Sequence, residues 1–143
     1  MSKEVTSPLL LDTHVWIWLI NGDQRLATSP ALRLIHQAAS RAEVFVSVIS
    51  MWEVGMLEAK KRIVLPLDGL EWVRQALKAP GVSLAALTPE IALESSRLPG
   101  QFHGDPADRI LVATARNLQA ALVTQDHWIL QYAQKRFLTA IPT

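Results

Sequence analysis

The chain has 143 residues, half of them hydrophobic and 19% charged, which is enough for one sizeable core and leaves little room for disorder. It contains no cysteine, which excludes disulfides and thiolate metal sites, and its net charge of +1 excludes a global basic field for nucleic acid. No apolar run approaches a membrane span, and Met1–Ser7 lacks a basic-then-apolar leader, so a single cytoplasmic domain over residues 1–143 with no membrane contact is expected, free only at its first few residues.

Pro8–Leu11 reads as a buried strand, followed by an apolar helix through Val15, Trp16, Trp18, Leu19 and Ile20 that Asn21-Gly22-Asp23 breaks. Ser29 and Pro30 supply the cap and first-turn residue of a helix running to about Ser40. Val44–Val48 is a short β-branched strand; Ser50 to about Lys61 is helical, as is Leu70 to Lys78. Pro80-Gly81 turns the chain into a strand candidate over Val82–Leu87, and Thr88-Pro89 opens a helix through Leu98. Pro99-Gly100 begins a loop to Gly104. A helix from Pro106 to about Leu118 then leads to a strand over Ala121–Thr124, a helix from Asp126 to about Gln134, and an edge strand over Leu138–Ile141. Strands separated by helices predict an α/β fold with a mostly parallel central sheet flanked by helices on both faces.

In that arrangement Asp12 and Asp126 lie just past the carboxyl ends of buried strands, where open α/β sheets place ligands. With Glu53, Asp105 and Asp108 they form a set of acids whose mutual repulsion calls for a bound hard cation. Each acid also has a structural explanation. Asp12, Asp105 and Asp126 all precede helices as N-caps would, and Ser50 to Glu53 has capping-box spacing. Glu53 separates the two readings. If Ser47 caps its helix, Glu53 needs no cap role and sits among Trp52, Val54, Met56 and Leu57, where a lone carboxylate is costly. The acids follow separate βα units, which cap needs alone do not explain, and the site reading is preferred.

Other motifs are absent: there is no P-loop, no dinucleotide fingerprint and no nucleophile elbow. His14, His36, His103 and His127 have no zinc-binding spacing, and His14 and His127 read as surface residues at helix starts. Lys60-Lys61-Arg62 suits a helix carboxyl end. Trp16, Trp18 and Trp72 read as core or as a dimer surface.

The chain resembles the PIN-domain ribonucleases of the VapC toxin type along nearly its full length. The resemblance rests on Leu9-Leu10-Leu11-Asp12-Thr13, on Ser47 to Glu53, on Phe102 to Ala115 with its Gly104-Asp105-Pro106-Ala107-Asp108, and on Thr124-Gln125-Asp126. It implies an acidic centre of Asp12, Glu53, Asp108 and Asp126, with Asp105 a further carboxylate at the rim, either ligand or cap. It also implies Mg²⁺ or Mn²⁺, an RNA substrate and inhibition by a small cognate antitoxin. Lys61 departs from the pattern, at a turn where glycine is expected.

Thr13 and Thr124 hydroxyls are placed to orient ligands or water. Arg109 is either an ion-pair partner for an acid, the preferred reading, or a phosphate contact. The apolar girth of the helix after Asp12 exceeds one core-facing stripe, so a homodimer is expected. Two enzyme alternatives fail on residues. A haloacid-dehalogenase phosphatase needs a second Asp where His14 stands, and a response-regulator receiver needs an acidic pair and a late lysine. A non-catalytic PIN-like interaction module is the remaining alternative, favoured only if the acids were incomplete.

Overall fold

The computed structural model describes residues 7–143. The expectation of a free end at the first few residues therefore lies outside the described residues. Among the described residues five short strands form one sheet, β1 (Leu9–Leu11), β2 (Val44–Ser47), β3 (Val82–Ala85), β4 (Ala121–Thr124) and β5 (Ala140–Pro142), ordered β3-β2-β1-β4-β5. Every pairing is parallel, with Leu11 opposite Val46 on one side and Val123 on the other. The central strands β1 and β4 are buried on both faces, which is why they are short uninterrupted apolar runs. The chain runs outward from β1 to β3, then crosses back to β4 and β5. The β1–β4 boundary is therefore a topological switch point, with a crevice at the strand carboxyl ends.

The pleat sends alternate side chains to opposite faces. Leu9 and Leu11 enter one core and Leu10 the other. The first core is covered by α1 (Thr13–Asn21), α2 (Gln24–Ala27), α3 (Ala31–Ser40), α4 (Val48–Ala59) and α5 (Gly69–Ala76), and it holds Trp16, Trp18, Trp72 and Ile35. The second lies under α6 (Pro89–Ser95), α7 (Pro106–Leu118) and α8 (His127–Gln134), around Leu111, Ile91, Ile129 and Tyr132. Truncating a fully buried residue such as Leu11 to Ala would cost about 2–5 kcal/mol.

Several expectations need correcting. Trp16 and Trp18 are buried within the chain itself, Trp16 packing edge-on against Trp72 at 5.0 Å and Trp18 lying under the Arg25 guanidinium at 4.8 Å. The girth of α1 is therefore spent inside the first core, and it provides no basis for a dimer. Asn21-Gly22-Asp23 does break α1, with Gly22 as a left-handed carboxyl cap at φ 65, but Asp23 immediately caps the short α2, which was not expected. β3 stops at Ala85, because Leu87 is apolar yet 41% exposed. The last strand is shifted to Ala140–Pro142, since Leu138 turns into the core instead. Lys61 adopts φ 56, the left-handed position at which glycine is expected. Its N–H reaches Glu58 O, and that of Arg62 reaches Leu57 O, closing the end of α4.

Candidate active site

The strand ends place the first two acids. Asp12 directly follows β1; its Oδ1 accepts the Thr13 N–H at 2.7 Å and its Oδ2 accepts the Thr124 hydroxyl at 2.6 Å. Thr124, the buried last residue of β4, in turn accepts the Asp126 N–H at 2.9 Å. Asp126 Oδ1 then caps α8 through the Ile129 N–H at 3.0 Å. One threonine thus ties the Asp12 side chain to the backbone of Asp126 across the switch point.

Glu53 arrives from α4. Ser47, not Ser50, caps this helix, accepting the Ile49 N–H at 3.1 Å, so β2 runs into α4 without a loop and Glu53 owes nothing to capping. Its Oε1 lies 2.6 Å from Thr13 Oγ1, which also lies 2.8 Å from the buried Ser50 Oγ. A hydroxyl carries one proton, so Thr13 donates to the carboxylate and takes Ser50 as its own donor. The two threonines thus serve the acids themselves.

Asp105 and Asp108 open α7. Asp105 Oδ1 caps it through the Asp108 N–H at 3.1 Å, while the Asp108 side chain is left for the cleft. Arg109 pairs with no acid among the described residues, against the preferred expectation: Nε donates to Ser95 O at 2.7 Å and Nη1 to Phe102 O and His103 O at 2.9 and 3.1 Å. It clamps the loop before α7, a role that contacts between separate segments decide and that its sequence position beside Asp108 does not reveal. Capping and clustering also prove compatible, because Asp12, Asp105 and Asp126 do both.

Charge in the cleft is under strain. Burial raises the Asp12 carboxyl above its usual range, against hydrogen bonds from Thr124 and Thr13, and the Asp126 charge adds to the rise. Glu53 is raised by burial against its Thr13 bond, and further by Asp12 and Asp105. Asp108 is pushed up to about 7, first by burial, then by Asp105, Asp12, Asp126 and Glu53 together. It therefore stands where the field of all the other candidate acids is felt, with Asp105 exposed at the rim.

His103 belongs to this cleft and was missed. Donor atoms of His103, Asp108 and Asp126 lie within 4.8 Å of one another. The zinc-spacing test applied to the histidines had no power here, because His103 reaches Asp108 around the start of α7. Its Nδ1 accepts the Asp105 N–H at 3.3 Å, which leaves the proton on Nε2. Nε2 is buried, 3.3 Å from Asp108 Oδ2, without hydrogen-bond alignment. In that tautomer His103 is a proton-bearing neighbour of Asp108 rather than a lone-pair donor.

The sequence matches the PIN domain family over residues 9–135. The chain belongs to the PIN-domain family. It is 34% identical over 131 residues to Ribonuclease VapC22 of Mycobacterium tuberculosis, an alignment covering 92% of this chain and 96% of that relative. Among solved structures, the DNA-bound VapBC of Salmonella typhimurium superposes with a TM-score of 0.67 at 13% identity, over 96% of this chain and 98% of that one. FitAcB of Neisseria gonorrhoeae gives 0.56 at 18%, over 93% and 96%. At such identities the likeness is one of fold. In this PIN domain the residues fit a hard divalent cation: converging oxygen donors and three carboxyls raised by burial.

Proposed function

We propose that this PIN domain is a divalent-metal-dependent endoribonuclease, the toxin of a toxin–antitoxin pair, held inactive by a small cognate antitoxin in the cytoplasm. The observation that carries the reading is the gathering of Asp12, Glu53, Asp108 and Asp126 at the switch point, with the Asp108 carboxyl pushed up to about 7. A cleft so arranged is unfavourable empty and favourable around Mg²⁺ or Mn²⁺. The ribonuclease name of the 34% identical relative supports the reaction class, and the antitoxin is carried over from the VapC resemblance.

Asp12, Glu53, Asp108 and Asp126 would hold the cation, with Asp105 adding charge from the rim. When bound, such an ion lowers the pKa of water and neutralises charge on the phosphodiester. The chain's own part is preorganisation. Thr124 and Thr13 fix the oxygens of Asp12 and Glu53, and the His103 Nε2 proton faces Asp108. The amino ends of α7 and α8 point positive dipole ends at the same crevice. All the acids are in place, so no observation favours the non-catalytic interaction module.

An antitoxin has a seat beside the acids. Ile49, Trp52, Met56, Pro106 and Ala107 line an apolar groove of about 370 Å³ that also touches Glu53 and Asp105. The apolar face of a partner helix fits it, and a basic side chain from that partner would reach the carboxylates. A homodimer is carried over from the VapC resemblance alone, with light scattering at tens of micromolar as its check; a monomer there would remove it.

Purified protein should cut RNA with Mg²⁺ or Mn²⁺ and not in excess chelator. Cleavage that persists in chelator would overturn the reading.

A further inference from the structure

On the side of the acidic centre away from Trp52 lies a second cavity, of about 850 Å³, that the proposed chemistry does not use. Its walls include Phe102, His103, Trp128, Gln131, Tyr132 and Lys135. We propose that it is a subsite for an unpaired nucleobase of a single-stranded RNA, stacked on the Trp128 indole with Lys135 against the adjoining backbone phosphate. The assignment rests on the ribonuclease reading and adds to it the means by which the strand is held next to the acids.

Trp128 is 59% exposed, on a helix whose other aromatic, Tyr132, is 2% exposed. Leaving so large an apolar face in water is costly, and a stacking partner recovers that cost. Trp128, Gln131, Tyr132 and Lys135 fall at i, i+3, i+4 and i+7, on one stripe of α8 and its end. An aromatic plane, an amide able to read a base edge and a cation along one stripe are the parts of a nucleotide site.

The subsite is continuous with the acidic centre through one residue. The His103 ring sits 6.0 Å from Trp128, while its Nε2 faces Asp108 at 3.3 Å. A base on Trp128 therefore places its own phosphate towards the carboxylates. The opposite wall is held in advance. Phe102 packs on His103 at 4.4 Å and on Tyr132 at 5.0 Å, Tyr132 donates to Pro99 O at 2.6 Å, and Arg109 clamps the carbonyls of Phe102 and His103.

Charge selects the occupant. Among the described residues the cavity wall carries Lys135 and Arg109 and no carboxylate, whereas the groove at Trp52 carries Glu53 and Asp105 and no cation. A polyanion is attracted by the first and repelled by the second. A protein segment is the competing occupant, and the test separates the two.

The full-length protein would be titrated in chelator with a fluorescein-labelled oligouridine of about ten nucleotides. Trp128→Ala should weaken binding roughly tenfold and remove most of the RNA-induced quenching of tryptophan emission, while Trp128→Phe restores affinity. Lys135→Gln should weaken binding less and flatten its salt dependence. Wild-type and Trp128→Ala proteins that bind and cleave RNA equally would overturn the subsite and leave the nuclease reading standing. Wild-type protein that neither binds the oligonucleotide nor cuts RNA with Mn²⁺ would overturn both. Unchanged RNA affinity with altered self-association of Trp128→Ala would assign the residue to a protein interface instead.

Discussion

Two exposed tryptophans flank the acidic centre, Trp52 on α4 and Trp128 on α8, each 59% exposed. By residue type and exposure they are interchangeable. Their neighbours are not: Trp52 lies with Ile49, Met56 and Pro106 beside two carboxylates, and Trp128 with His103, Gln131 and Lys135. One rim suits an apolar helix bearing a basic tip, the other suits a stacked base with its phosphate. Exposure alone does not separate the two; the charge and hydrogen-bonding groups around each do.

The comparison assumes that the centre between the rims is catalytic, and the sharpest way to break it is Asp12→Asn. Asn retains much of the capping ability at α1. Cleavage measured on a labelled RNA with Mn²⁺ should therefore fall on the order of a hundredfold or more, with an unchanged circular dichroism spectrum. Full activity would show the chemistry to lie elsewhere. On the Trp52 side, Trp52→Ala should weaken antitoxin binding by about 2 kcal/mol, the size of an interface hot spot. Titration calorimetry would check this. If Trp128→Ala gave that loss instead, the two rims would have to be exchanged.

The electrostatics between the rims give a smaller effect that pH reveals. A carboxyl whose folded pKa lies near 7 against an unfolded value near 3.8 binds its proton more tightly when folded. Asp108 therefore favours the fold below about pH 4, and this contribution is lost as pH rises to 7; Asp12 and Glu53 act in the same direction. Chelated protein should lose about 1–2 kcal/mol over that range from Asp108, after screening at this half-buried group is allowed for. Asp108→Asn should reduce the slope without removing the helix cap, since Asp105 rather than Asp108 caps α7. Denaturant melts at several pH values would measure it, and an unchanged slope would mean that the cleft is not under charge strain. Least of all, Lys61→Gly should stabilise the protein by about 1 kcal/mol, because φ 56 costs a side-chain-bearing residue what it does not cost glycine.

The parts of the molecule legible in sequence were those set by neighbours along the chain. β1 and β4 are continuous apolar runs because both faces are covered, and Asp105-Pro106 announces α7. Asp12 and Asp126 could be placed because a strand end fixes the one or two residues that follow it. A single turn such as α2 has no period to detect, and an apolar residue such as Leu87 extends a strand pattern without being buried. His103 and Arg109 were beyond reach for another reason. What each does depends on which carbonyl or carboxylate a loop folds beside it, and local spacing does not encode that.

The acids are not all anchored alike. Asp12 directly follows β1, Asp126 lies one residue past β4 with its N–H on the Thr124 hydroxyl, and Glu53 sits on a helix that continues β2 without a break. Asp108 reaches the crevice after the loop between Ser95 and Pro106, held by the three carbonyl contacts of Arg109. Three of the acids are thus set by elements continuous with the sheet, and the fourth, the one most in need of a counter-charge, by a helix that follows a loop pinned by Arg109, a residue that touches no carboxylate in the centre.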